Sequence, residues 1–248
     1  MTSQILKISA LILTGFLVMV SGAQAQDAAL NDTQKKEVIS VLEQHLKDNP
    51  KLVIDAIESY QRQEQLAEEE KAKRSITDNL AALTAGDLPF IGNEDADVTV
   101  VEFFDYNCGY CKRAVPDIRA ILEKDKNVKF VFKEMPILGP SSRTAAQYAL
   151  AAHKQGKYFD YHAALMEHRG PKDEASLEGL AKDLGLDVDQ LKKDAKSKEI
   201  DTKIEKSINL AGTIGIRGTP AFVVDTELFR GYLGRDGLKA EIEKARAN

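Results

Sequence analysis

The stretch VVEFFDYNCGYCKRAVPDI, from Val100 to Ile118, contains the only two cysteines of a 248-residue chain. It joins a β-branched and aromatic run, Val98 to Phe104, which is typical of a buried strand, to a helical pattern that begins at or just after Cys108. A helix N-terminus presents unpaired N–H groups and the positive end of the helix dipole, and both stabilise an anion. The spacing therefore predicts that Cys108 is the exposed, attacking thiol and that Cys111, one turn further along, is the resolving thiol.

Two other interpretations of the cysteine pair compete with redox chemistry. A purely structural disulfide across two residues would close too small a loop to stabilise the fold much. A zinc site would need further cysteine or histidine ligands, and the four histidines are scattered over helical segments, at positions 45, 153, 162 and 168. A CxxC pair that follows a strand in a βαβ unit favours redox chemistry.

The rest of the chain predicts an α/β fold with a helical insertion. Pro116 is expected to interrupt the helix after Cys108, which then resumes to Lys124. A second strand over VKFVFKEMPI, residues 128–137, completes a parallel βαβ unit. The later elements are several helices over about residues 141–212, short strands at AFVVD (221–225) and LFRGYLG (228–234), and a final helix over 236–247.

The N-terminus predicts export. Lys7 precedes an apolar run from Ile8 to Val20, and Ala23-Gln24-Ala25 places small residues where a signal peptidase reads the chain. We expect cleavage after Ala25. An uncleaved membrane anchor is the competing interpretation, but the apolar run is short for a bilayer span.

Residues 31–84 predict two amphipathic helices and a charged segment. Asp32 or Thr33 can cap the first helix, and Asn49-Pro50 can start the second. Both helices carry an apolar stripe, formed by Val38, Val41, Leu42 and Leu46 in the first and by Leu52, Val53, Ala56, Ile57 and Tyr60 in the second. Because such short helices cannot bury their stripes alone, we expect the main domain or another copy of the chain to cover them. Residues 61–75 are almost entirely polar and predict a solvated helical linker.

The charge pattern excludes one class of partner. The formal net charge is -5 with the signs intermixed, so the chain lacks the basic stripe that nucleic-acid binding requires. In an exported protein an oxidising compartment lets disulfides persist, so Cys108 and Cys111 are expected to pair with each other. No metal or cofactor besides this redox-active disulfide is predicted.

The motifs EFFDYNCGYC and GTPAFVV, with Pro116 and the helical insertion between them, resemble the thioredoxin-fold DsbA family of bacterial periplasmic disulfide proteins. The extension and the CGYC sequence are most similar to the ScsC-type and Com1-type branch. The resemblance implies a thioredoxin fold and the periplasm as its location. With it, the predicted divisions are a signal peptide at 1–25, a helical extension for oligomerisation at 26–85 and a DsbA-like domain at 86–248.

The resemblance also implies roles for single residues. Cys108 matches the attacking cysteine of the family and Cys111 its resolving partner. Pro220 matches the cis-proline whose loop faces the sulfurs, and Thr219 the residue whose backbone pairs with a substrate strand. Glu102 matches a buried acid that can exchange a proton with Cys111. The competing interpretations are an ordinary turn at residues 218–220 and a solvated edge-strand glutamate.

Gly109 and Tyr110 depart from the family pattern. Strongly oxidising members carry proline and histidine between the cysteines, and the histidine helps to stabilise the thiolate. Tyrosine carries no positive charge, so the disulfide of this chain is expected to be less oxidising. Together with Thr219, these two residues are the predicted substrate contacts.

The resemblance implies a thiol-disulfide oxidoreductase that acts on unfolded or misoxidised exported proteins and exchanges electrons with a membrane redox partner. A homo-oligomer, a dimer or a trimer assembled through residues 31–60, would favour isomerase or reductase activity, because linked redox domains bind misfolded substrate multivalently. The alternatives are a monomeric dithiol oxidase, a copper(I)-handling protein that uses the same dithiol and a non-catalytic holdase.

Overall fold

The computed structural model describes residues 30–247, which form two compact units divided after Ser59. The predicted signal peptide at 1–25 lies outside the described residues. The first unit contains α1 (Asp32–Asp48) and the start of α2 (Lys51–Asp78). Across residues 30–247, every helix is too short or too polar to cross a membrane.

Helix α1 begins with a reciprocal cap. The side chain of Asn31 accepts a hydrogen bond from the Gln34 amide at 2.9 Å, and the Gln34 side chain accepts one from the Asn31 amide at 3.0 Å. The cap therefore lies before both predicted candidates, Asp32 and Thr33. Within a single chain α1 buries none of its residues, and the stripes predicted on α1 and on the start of α2 are exposed.

The second unit is built around a five-stranded sheet in the order β1-β3-β2-β4-β5. Its central strand β2 pairs parallel with β3 and antiparallel with β4, while β1 and β5 form the antiparallel edges. The predicted parallel βαβ unit is confirmed. The strands are β1 (Phe90–Gly92), β2 (Val98–Phe104), β3 (Val128–Glu134), β4 (Ala221–Val224) and β5 (Glu227–Arg230).

Helices cover both faces of the sheet. The predicted insertion consists of α5 (Pro140–Lys154), α6 (Tyr158–Glu167), α7 (Glu174–Asp183), α8 (Val188–Ala195) and α9 (Lys198–Thr213). The remaining helices of this unit are α3 (Leu80–Thr84), α4 (Gly109–Lys124) and α10 (Gly234–Ala247). The mixed α/β fold with a helical insertion and a helical N-terminal region agrees with the prediction.

The predicted interruption of the helix at Pro116 is wrong. Helix α4 runs without a break from Gly109 to Lys124, with Pro116 inside it on the exposed side. Proline removes one backbone hydrogen bond, but the opposite face of α4 buries Ala114, Val115, Ile118 and Ile121 against the core. This packing holds the helix in one piece. Helix α3 lies within the helical region predicted for residues 31–84, although it was not predicted as a separate helix. Strand β1 was not predicted, because three residues give no readable periodicity.

Two apolar clusters lie on opposite faces of the sheet. The larger one packs Val100, Phe104 and Phe130 against α4, α10 and the insertion. The smaller one packs Val101 and Phe103 with Ile76 and Leu83. Because Ile76 and Leu83 are fully buried in this core, the end of α2 and all of α3 belong to the second unit. This division differs from the predicted boundary after residue 85.

Candidate active site

The two cysteines lie at the start of α4, at the carboxyl end of β2. Cys108 occupies the N-cap position with extended backbone, and its side chain caps none of the helix amides. Cys108 is 8% exposed and Cys111 is fully buried. Cys108 is therefore the more accessible of the two, but it is buried and not exposed as predicted. Both are present as free thiols, and their disulfide stays a prediction.

The loop before β4 meets the first sulfur. The Thr219–Pro220 peptide bond is cis, as predicted. The Cys108 thiol donates a hydrogen bond to the carbonyl oxygen of Thr219, with 3.2 Å between the two atoms. The fold thus brings together Cys108, Thr219 and Pro220, which are far apart in the sequence.

Glu102 lies in the middle of β2 and is 1% exposed. Strands β3 and β4 flank it on both sides, which rules out a solvated edge-strand position. Neither carboxyl oxygen has a hydrogen-bond partner among residues 30–247. Burial raises the pKa of Glu102 to about 8, and the charge of a Cys108 thiolate adds to the shift. Burial, followed by the charge of Glu102, also raises the pKa of the Cys111 thiol.

Gly109 and Tyr110 are the first two residues of α4 and are exposed. The space where a Gly109 side chain would project is open. The Tyr110 ring packs beside Tyr232, with 6.1 Å between ring centres, and the Arg113 guanidinium lies 5.2 Å from its centre. Arg113 therefore places a positive charge against the Tyr110 ring, beside the CGYC motif. Sequence reasoning missed Arg113, which is three positions along the same helix.

Asp105 is a second residue that the sequence did not single out. Its buried carboxylate accepts hydrogen bonds from the amides of Asn107, Ile137 and Leu138 and from the Ser142 hydroxyl, at 2.7 to 2.9 Å. One carboxylate therefore joins the loop that carries Cys108 to the loop between β3 and α5. The sequence did carry a signal for this contact, because an aspartate side chain can accept a hydrogen bond from the backbone amide two residues later, here Asn107.

A buried polar cluster lies behind this loop. Glu134 accepts hydrogen bonds from the hydroxyls of Tyr106 and Tyr158 at 3.0 and 2.8 Å, and Tyr106 also contacts Nδ1 of His162 at 3.2 Å. Burial raises the pKa of Glu134 to about 8, although both tyrosines oppose the shift. Burial lowers the pKa of His162 to about 3. Within residues 30–247, no group of three or more His, Cys, Asp and Glu side chains is placed to hold a metal ion.

The family follows from a comparison with known domains. The model of the DSBA-like thioredoxin domain matches residues 99–243, more than half of the chain. The chain belongs to this family. The matched span begins in β2 and ends in α10, so the DsbA-like domain includes the CGYC motif, the helical insertion and the Pro220 loop. The predicted family and thioredoxin fold are confirmed.

Three solved structures are similar to the DsbA-like chain. A thioredoxin-like oxidoreductase from Silicibacter pomeroyi DSS-3 is 41% identical with a TM-score of 0.65, covering 68% of this chain and 98% of that one. The thiol-disulfide exchange protein alpha-DsbA2 from Wolbachia pipientis is 31% identical with a TM-score of 0.68. The match covers 72% of this chain and 97% of that one. Proteus mirabilis ScsC in a transitional conformation is 30% identical with a TM-score of 0.64. The match covers 90% of this chain and 99% of that one.

Some curated relatives are much longer proteins. The Na(+)/H(+) antiporters NhaA 1 of Salinispora arenicola and NhaA 3 of Salinispora tropica are 32% and 30% identical over the matched residues. This chain spans 24% of the length of either protein. The similarity therefore concerns one part of each antiporter.

Proposed function

We propose that the DsbA-like domain exchanges disulfides with exported proteins through Cys108 and Cys111. The observation that carries the proposal is the placement of Cys108: its sulfur lies at the N-terminus of α4 and 3.2 Å from the Thr219 carbonyl. The thioredoxin-like oxidoreductase and the thiol-disulfide exchange protein among the similar structures support the same chemistry.

In the first step, the Cys108 thiolate attacks one sulfur of a substrate disulfide. A bond forms between Cys108 and that sulfur, the substrate disulfide breaks, and the other substrate sulfur leaves as a thiolate that takes up a proton. The helix N-terminus stabilises the attacking anion. The backbone of Thr219 pairs with the substrate segment beside its cysteine.

In the second step, Cys111 resolves the mixed disulfide. Its buried thiol must lose a proton before it attacks Cys108, and Glu102 is the buried carboxylate that acts on it. The Cys108–Cys111 bond forms as the second substrate thiolate leaves. The domain has then been oxidised by two electrons and the substrate reduced by two. The reverse sequence oxidises a substrate dithiol.

An apolar rim beside the cysteines suits unfolded substrate. Tyr110, Ile137 and Leu138 are large apolar side chains that are 57%, 41% and 53% exposed. The amides of Ile137 and Leu138 bind Asp105, three residues before Cys108, so this rim borders the active-site loop. Exposed apolar side chains next to a reactive sulfur favour segments that are buried in folded proteins and exposed in misfolded ones.

Oligomerisation is part of the proposal. Ten large apolar side chains between residues 30 and 59 are at least about one-third exposed in the single chain: Leu30, Val38, Ile39, Val41, Leu42, Leu46, Leu52, Val53, Ile54 and Ile57. A second copy, or two further copies, would cover them. Assembled redox domains around a shared space favour isomerase or reductase activity in the periplasm, coupled to a membrane redox partner. If the chain is instead a monomer, a dithiol oxidase is the alternative.

Reduction of insulin disulfides in the presence of dithiothreitol tests the exchange function. The mature full-length protein is expected to accelerate it, and Cys108→Ser to abolish it. Cys111→Ser is the matched control, because it leaves the attacking thiol in place and should accumulate a mixed disulfide with substrate, visible by mass. A well-folded wild-type protein without activity would refute the proposal.

A further inference from the structure

A cleft borders the loop that carries Cys108. It has a volume of about 500 Å³ and is lined by Asn107, by the first turns of α5 and α7 and by the loop before α7. Asn107 directly precedes Cys108, and its side-chain amide donates to the hydroxyls of Ser141 and Ser142. The residue that directly precedes the reacting cysteine therefore lines the cleft and is bonded to the start of α5.

Lys172 lines this cleft and is 6% exposed. Between residues 30 and 247, its ammonium group forms no salt bridge. Burial lowers the pKa of Lys172, the positive charge of Lys112 adds to this shift, and the charge of Asp105 opposes it. Lys112 directly follows Cys111 on α4, and it too forms no salt bridge within the described part of the chain, residues 30–247. Two cations that repel each other therefore lie close to the redox motif, and one of them is almost buried.

The nearby carboxylates are already engaged. Asp105 accepts four hydrogen bonds from the loops that it joins. Asp173 and Glu174 directly follow Lys172 and also line the cleft. Asp173 accepts from the Ser176 amide at 2.9 Å, and Glu174 pairs with Lys196 at 3.1 Å. Because these carboxylates already have hydrogen-bond or ion-pair partners, the buried ammonium group of Lys172 can still bind another anion.

The first turn of α5 also favours an anion in this cleft. Its N-cap is Gly139, which has no side chain to cap the helix amides, and Ser141 and Thr144 of its first turns line the cleft. The positive end of this 15-residue helix thus faces the same space as Lys172. A helix N-terminus and a nearly buried, unpaired lysine converge on one cleft.

We infer that this cleft binds an acidic side chain of the substrate near its reacting cysteine, so that the domain prefers cysteines flanked by Glu or Asp. The inference rests on the proposed exchange function and adds a substrate class to it. Lys172 is a specificity-determining residue and Lys112 supports it. Neither takes part in the exchange of electrons.

Short cysteine peptides test the inference with the oxidised full-length protein. In one series Glu stands one, two or three residues before or after the cysteine, and each peptide has a twin with Gln at that position. The peptide thiolate attacks Cys108, the peptide–Cys108 bond forms, the Cys108–Cys111 bond breaks and Cys111 takes up a proton. Acid quenching, alkylation and mass measurement give the rate per thiolate.

The wild-type protein is expected to react about fivefold faster with at least one Glu peptide than with its Gln twin, the upper range for an exposed ion pair. Lys172→Met should remove this preference, and roughly 1 M salt should weaken it. Lys172→Arg retains the positive charge and should retain the preference for Glu peptides. Comparing the two variants therefore distinguishes loss of charge from disturbed folding. Lys206→Met is the control, because Lys206 is an exposed lysine on α9, away from this cleft.

Equal rates for every Glu and Gln pair, or a preference that survives in Lys172→Met, would overturn the inference and leave the exchange function intact. If neither series formed a mixed disulfide, the exchange function itself would be wrong, and the inference would fall with it.

Discussion

Glu102 on β2 lies opposite Phe222 on β4, two residues beyond Pro220. This register places the buried acid one strand away from the loop that contacts the Cys108 sulfur. Since β2 also leads directly into the CGYC motif, the acid, the two sulfurs and the Thr219 carbonyl are positioned by two neighbouring strands. Backbone hydrogen bonds of the sheet therefore fix the two strands from which the loops that carry Cys108 and Thr219 extend.

Replacing Glu102 with Gln should slow the resolving step and spare the first one. Without a base beside Cys111, the buried thiol loses its proton more slowly, and we expect a loss of about 100-fold in the resolution rate. Quenched-flow measurement of mixed disulfide formation and decay separates the two steps. Glu134→Gln is the control, because Glu134 is an equally buried carboxyl that contacts two tyrosines. Equal slowing by both variants would contradict the role of Glu102.

The same substitution should change how stability depends on pH. In the folded protein the pKa of Glu102 is about 8, whereas its ordinary value is 4.5. Between these values the native state retains a proton that the unfolded state has lost, so this glutamate makes the protein less stable as pH rises through the window. Glu102→Gln should therefore gain stability relative to wild type from pH 5 to 8, by at most about 1.4 kcal/mol per pH unit. Urea unfolding of the reduced proteins at each pH measures this difference, and a constant difference would contradict the prediction.

Removing the Asp105 carboxylate should destabilise both loops that it joins. Asp105→Ala leaves three backbone amides and one hydroxyl without their acceptor, for an expected loss of about 3 kcal/mol. Ser142→Ala removes one donor to Asp105 and one acceptor of the Asn107 side-chain amide, which keeps Ser141 as a partner, and should cost about 1 kcal/mol. Denaturant unfolding compares the two variants. Similar losses for both would show that the amide contacts contribute little.

Removal of residues before Tyr60 should convert an oligomer into a monomer that still reduces insulin. The truncation starts at Tyr60 because Ala72 and Ile76 of α2 are buried in the second unit and must be kept. We expect the truncated protein to lose the ability to rescue scrambled disulfides. Sedimentation of the mature and truncated proteins at micromolar concentration measures the change.

A point variant provides a matched test of assembly in the full chain. Leu42→Glu places a charge in the exposed apolar stripe of α1 and should dissociate the oligomer, while Glu43→Gln on the next position should not. A mature protein that sediments as a monomer before any substitution would contradict the oligomer proposal.

The strand, the cysteines and the helix after them were predictable because their signals are local. The β-branched run ends at Phe104 and the helix begins at Gly109, close to where the sequence pattern placed them. The approach of Thr219 to Cys108 followed from the family resemblance. The family resemblance also implied that Glu102 is a buried acid, but its complete burial depends on β4, which pairs with β2 from more than 100 residues away.

The residues that sequence reasoning missed depend on how the insertion packs. His162 appeared only as one of four scattered histidines, yet α6 brings it to Tyr106. Lys172 lies in a loop of ordinary composition, and it becomes a buried cation only where that loop meets α4. Pro116 was misjudged because the local rule for proline ignores the packing that holds α4 together.

The four hydrogen bonds to Asp105 also constrain how the protein can diversify. The loop that presents Cys108 and the loop that presents Ile137 and Leu138 share a single acceptor. An insertion or deletion in either loop would move the Asp105 carboxylate relative to both loops. Such a change would therefore alter the chemistry at Cys108 and the substrate preference at Ile137 and Leu138 together. New specificity is easier to acquire by replacing the exposed side chains of Ile137 and Leu138, whose backbone amides bind Asp105 whatever side chain they carry.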